Sequence, residues 1–179
     1  IEEGTSSGIR HINVVGASLF PQEELLDALE LKHPSLLSFY KNDDKYSREK
    51  LSGDLESLEA FYKDRGYADF EIESTQVSIT PDRQQVYISI AVDEGQIYQV
   101  NKVNLVGELG DVKADDLRSL IIVQEGQTFS QALITATEER LTNALGNGGF
   151  TFATASGVPT LNDDQTVDVE FFVDSGKRA

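Results

Sequence analysis

FYKDRGYADFEIESTQVSITPD, residues 61–82, reads as the close of a helix, a glycine turn and a strand. Its strand changes phase. Phe70 and Ile72 share one face, and a period-two strand should continue that face through residues 74, 76 and 78. Those positions hold Ser74, Gln76 and Ser78, whereas the apolar residues resume at Val77 and Ile79. A one-residue slip turns every later side chain to the opposite face. Keeping all four apolar residues on one face therefore requires an extra residue near Ser74–Gln76, a β-bulge.

Outward from this stretch the chain repeats itself. IRHINVVG from Ile9 returns as VNKVNLVG from Val100, 91 positions later. YSREKLSGDLESLEAFYKDRGY from Tyr46 returns as FSQALITATEERLTNALGNGGF from Phe129, 83 positions later. The difference falls around HPSLLSFYKNDDK, an insertion in the first copy. VYISIAVDEG (86–95) likewise matches VDVEFFVDSG (167–176), and the opening IEEG reads as the tail of a preceding copy.

Each copy has the same plan. A strand ends at Gly16 or Gly107, and a short helix follows, marked in copy one by Pro21, by Glu23 and Glu24 at its start and by Leu25, Leu26 and Leu29. A longer helix follows Ser47 or Ser130 as N-cap. Leu51, Leu55, Leu58, Phe61 and Tyr62 form its stripe in copy one, and Ile134, Leu141, Ala144 and Leu145 in copy two. Gly66 and Gly149 stop the helices. Two strands then close the unit, the last alternating strictly through Val86, Ile88, Ile90 and Val92 or Val167, Val169, Phe171 and Val173. One apolar face per strand means a sheet covered on one side. The expected fold is α+β: two tandem β-α-α-β-β domains, each a three-stranded mixed sheet with two helices on one face. Expected boundaries are 1–8 for the preceding tail and linker, 9–95, and 96–179, with Gly95, Gln96, Ile97 and Tyr98 as an interdomain hinge.

The 179 residues carry a formal charge of −16 and are 39% hydrophobic, the composition of a globular protein. Phosphate backbones and anionic lipids are bound through Lys and Arg, so nucleic acid is excluded as a partner. No apolar run is long enough to span a membrane. With no Cys there is no thiolate chemistry and no disulfide framework. With no Met even at position 1, the sequence reads as a piece of a longer protein.

Catalytic groupings are missing as well. His11 and His33 stand in different elements, so no catalytic residues are assigned. Asp43–Asp44, Asp115–Asp116 and Asp163–Asp164 read as solvated turn formers, so neither a metal nor any other cofactor is expected. GNGGF (146–150) follows a helix, whereas a phosphate loop must precede one.

The element order, DRGY (64–67) at the helix end and VDEG (92–95) running into YQVNKVNLVGEL (98–109) resemble POTRA domains. Copy one is similar to the third, and copy two to the fourth, POTRA repeat of outer-membrane protein assembly factors of Gram-negative bacteria. The resemblance implies a non-catalytic scaffold at the periplasmic face of the outer membrane, with adjoining repeats and a C-terminal β-barrel in the full-length protein. Its implied partners are unfolded outer-membrane protein segments and accessory lipoproteins. In that fold the second strand lies at the sheet edge, which makes Phe70, Glu71, Ile72, Glu73, Ser74, Thr75, Gln76, Val77 and Ser78 the expected peptide-binding strand, used by β-augmentation. Pro159 in the matching strand of copy two removes a donor and points to copy one as the better acceptor. The alternatives are a related two-partner-secretion or translocation-assembly module, a structural spacer, or an acidic hydrolase, which would need two close carboxylates with raised pKa.

Overall fold

A computed structural model describes residues 9–29, 44–82 and 85–176. The tail at 1–8, His33 and most of the copy-one insertion lie outside the described residues. The elements run β1 (Ile9–Val15), α1 (Gln22–Ala28), α2 (Asp44–Lys63), β2 (Glu71–Ile79), β3 (Gln85–Asp93), β4 (Gln99–Glu108), α3 (Ala114–Arg118), α4 (Gln131–Asn147), β5 (Thr154–Leu161) and β6 (Thr166–Asp174). They form two three-stranded sheets, ordered β1-β3-β2 and β4-β6-β5. In each, the central strand pairs parallel with the first and antiparallel with the second.

Two compact units result. One takes in the described residues up to Tyr62 together with Phe70–Gly95, and the other takes in Lys63–Asp69 and the residues from Gln96 onward. The first unit buries Leu25, Leu29, Leu58 and Tyr62 from its helices against Val86, Ile88, Ile90 and Val92 of β3. Tyr62 stacks on Phe70 at 4.1 Å, and Phe20 meets Phe61 and Tyr62 edge-on. In the second unit Ile134, Leu141 and Leu145 of α4 pack in one cluster with Val167, Val169, Phe171 and Val173 of β6. These residues belong to the apolar stripes read from the sequence, each stabilising by about 1.5–3 kcal/mol per large buried side chain, whereas Leu26, Leu51, Leu55 and Ala144 of the same stripes are only half-buried.

Of the two expected N-caps, one is corrected and the other holds in position only. Ser47 lies inside α2, which already begins at Asp44, so it is no N-cap. Ser130 occupies the N-cap position of α4, but its side chain makes no capping bond. Within the second unit the Asp64 carboxylate instead accepts the Ala132 N–H at 2.8 Å, a charged acceptor at the positive end of the helix.

Candidate strand-acceptor edge

The phase change in β2 is a bulge, placed slightly earlier than expected. The pairing with β3 shifts between Ile72 and Ser74, so Glu73 and not a residue within Ser74–Gln76 is the extra one. Ile72, Thr75, Val77 and Ile79 then stand opposite Val92, Ile90, Ile88 and Val86, the buried face of β3. Val77 and Ile79 are on the helix-covered side, as read, yet they are 41% and 46% exposed. They line the margin of the sheet and not its core. Phe70 precedes the strand and is buried, while Glu71, Glu73, Ser74, Gln76 and Ser78 are exposed.

The hydrogen-bond alternation of β2 follows from one bond. Thr80 N–H donates to the Gln85 carbonyl at 3.0 Å, which makes that pair a close one. In an antiparallel ladder close pairs recur every second residue, so Ser78, Gln76 and Ser74 turn their backbone groups toward β3. Thr75, Val77 and Ile79 turn theirs away. Among the described residues nothing is hydrogen-bonded to those outward groups.

Each of the three other sheet edges is plugged at one or two of its outward positions. On β1, the Gln22 side chain accepts the Val14 N–H at 3.1 Å and donates to the Val14 carbonyl at 2.6 Å, occupying both groups as a strand would. On β4, the segment after α3 pairs with the rim through Val100 N–H to Gln127 C=O at 2.8 Å and Gly126 N–H to Val100 C=O at 2.7 Å. Farther along, Glu125 accepts the Val103 N–H at 3.4 Å. On β5, Asn162 N–H to Thr166 C=O at 2.9 Å sets the same alternation, so Gly157 and Pro159 face outward. Glu138 of α4 accepts the Gly157 N–H at 2.6 Å, and Pro159 has no N–H.

Pairing to the central strands aligns the two edges. Ile79 lies opposite Val86 as Leu161 lies opposite Val167, so Val77 corresponds to Pro159 and Thr75 to Gly157. On the helix, Glu138 corresponds to Leu55, which offers no acceptor. The two central donors closed in the second unit are thus open in the first. Sequence reasoning found Pro159 but missed Gln22, Glu125 and Glu138, whose plugging depends on which strand each side chain reaches.

Beside the bulged end of β2 lies a shallow cavity of about 300 Å³, bordered by Gly16, Ser18, Leu19, Glu73 and Glu94. Glu94 is committed to structure. It accepts the Ser18 N–H at 2.7 Å, the Ser18 hydroxyl at 2.9 Å, the Leu19 N–H at 3.2 Å and the Tyr62 hydroxyl at 2.8 Å. Burial alone would raise its pKa, but the bonds from Ser18, Tyr62 and Leu19 outweigh that and hold it below the ordinary carboxylate value. A general acid for hydrolysis needs the opposite shift.

Of the residues read as a hinge, Gly95 belongs to the first unit, and Gln96, Ile97 and Tyr98 to the second. Gln96 N–H donates to Asp69 at 2.9 Å, and Tyr98 donates its N–H to the Gly66 carbonyl at 2.9 Å and its hydroxyl to Asp69 at 3.3 Å. Burial, the Asp69 charge and that bond push the Tyr98 hydroxyl pKa up. His11 stacks on Tyr87 with ring centroids 4.6 Å apart. Among the described residues no three His, Asp or Glu side chains gather as metal ligands, and no helix is long and apolar enough to cross a membrane.

Comparison with known proteins agrees with this architecture. The POTRA model, described as surface antigen variable number repeat, matches residues 8–95 and 98–176. The outer membrane protein assembly factor BamA of Neisseria meningitidis is 25% identical over 179 residues, covering 99% of this chain and 22% of that protein. BamA of Neorickettsia risticii is 27% identical over 180 residues, covering 99% and 24%. The chain thus spans about a quarter of these relatives' length. The crystal structure of Haemophilus influenzae BamA POTRA3-5 superimposes with a TM-score of 0.77 at 24% identity, over 96% of this chain and 67% of that one. With the family model matched across both repeats, the chain belongs to the POTRA family.

Proposed function

We propose that this chain is a non-catalytic, periplasmic protein-binding scaffold in the assembly and insertion of β-barrel outer-membrane proteins. In this reading β2 takes up an extended client or accessory-protein segment as a fourth strand of the first sheet. The observation that carries it is the open rim at Thr75, Val77 and Ile79, set against plugs on the other three edges. The relatives' names, outer membrane protein assembly factor, supply the process.

The energetics suit a transient hold. Three outward residues offer about six backbone hydrogen bonds, worth roughly 3–9 kcal/mol net. Association and ordering oppose this by about 4 kcal/mol or more. The remainder is weak binding, read mainly through backbone and tolerant of client sequence. Apolar client side chains on the helix side would additionally cover Val77 and Ile79.

Titration of the labelled chain with an extended peptide from an outer-membrane protein tests the reading. Amides of Phe70–Ile79 should shift at lower peptide concentration than those of Ala153–Leu161. Equal response of both strands, or shifts confined to the helices, would overturn it.

A further inference from the structure

We infer that the uncovered face of the second sheet is a separate docking surface for a polypeptide segment whose apolar side chains are flanked by Lys or Arg. Register defines the face. Phe171 and Val173 are buried toward α4, so Phe172 points the other way and is 45% exposed. Val106 stands opposite Phe172 across β4–β6 and is 37% exposed; Val158, on β5 opposite Glu170, is 45% exposed. Three apolar side chains thus adjoin on adjacent strands, which run about 4.8 Å apart.

Carboxylates bound this apolar centre at both ends. Asp168 and Glu170 precede Phe172 on β6, and Asp174 follows it beside Glu108 of β4. Lys102, opposite Asp168, is the one cation in these rows. Glu170 and Asp174 are four residues apart, about 13 Å along a strand. A matching segment presents two cations at that separation with apolar groups between them.

The same charges argue against other occupants. A second copy of this chain brings the same carboxylates and a net charge of −16, so face-to-face pairing sets like charges together. Anionic lipid is repelled for the same reason. The apolar centre is far smaller than the roughly 800 Å² per partner of a stable interface. A short segment held with help from charge fits it better than a second globular surface.

The test is an NMR titration of the whole chain with the blocked peptide GKKVFVKKG and its acidic counterpart GEEVFVEEG. The basic peptide should shift amides around Val106, Val158 and Phe172, less so at 0.5 M salt, and the acidic one should not. Phe172→Ser should weaken binding about tenfold, equivalent to about 1.4 kcal/mol. Glu170→Lys, which leaves the apolar residues in place, should weaken it as well. Equal binding of the acidic peptide, or shifts of β2 alone, overturns the inference. So does self-association, or binding to phosphatidylglycerol vesicles, that Phe172→Ser abolishes.

Discussion

Glu138 holds the outward N–H of Gly157 at 2.6 Å, so a helix side chain occupies the place a visiting strand would take. The helix comes close because Gly157 has no side chain: a Cβ there would lie 2.4 Å from Ile134 Cγ2 and 2.9 Å from Phe171 Cε1. Glu138→Leu with Pro159→Val gives β5 the residues that stand at the matching positions of the first unit. Peptide-induced shifts should then appear at Ala155–Leu161, with a stability loss of about 1 kcal/mol from the missing charged acceptor. An unresponsive β5 would show that edge closure is not what separates the two units.

The reverse exchange is Val77→Pro. Its N–H faces outward, so no ladder bond to β3 is lost, and Pro159 shows that this fold accepts proline at the matching position. Stability should fall by no more than about 1 kcal/mol, while peptide affinity falls about tenfold with the lost donor. Calorimetry and the same titration measure the two effects separately. Unchanged affinity would place the binding site off this strand.

The repeat, the helical stripes and the alternating last strands were legible because each is periodic along the chain. The bulge was legible as a phase change, though its position was not. Hydrophobicity marks that a residue is added between Ile72 and Val77, whereas ladder geometry decides that it is Glu73. The plugs were not legible. Gln22 and Glu138 look like ordinary helix surface residues, and only the packing of α1 on β1 and α4 on β5 gives them an amide to hold. Pro159 was visible because its missing donor is intrinsic to the residue.

Glu94 should make the first unit acid-sensitive. Its folded pKa is lowered, so its contribution is fully present above the unfolded value of about 4.3 and is lost as pH falls through the folded value. Glu94→Gln should cost about 1–3 kcal/mol at pH 7 by weakening the acceptor of Ser18, Leu19 and Tyr62. The gap between wild type and variant should narrow in melts below about pH 4. A gap that is constant with pH would mean the carboxylate's charge contributes nothing.

Two glycines separate steric necessity from mere presence. At Gly107, φ is +125° and a Cβ would stand 1.9 Å from the Val173 carbonyl oxygen; Gly16 repeats the arrangement, with φ +89° and 2.4 Å to the Val92 oxygen. Gly53 in α2 has, beyond its chain neighbours and the local helix backbone, nothing within 4 Å of where its Cβ would be. Gly107→Ala should therefore cost about 2 kcal/mol or more in denaturant titration, with loss of amide protection in β4 and β6. Gly53→Ala should gain about 0.5–1 kcal/mol through helix propensity. Equal tolerance of both would mean that β4 and β6 can separate at this point without loss, contrary to the close approach near the end of the first strand of each repeat.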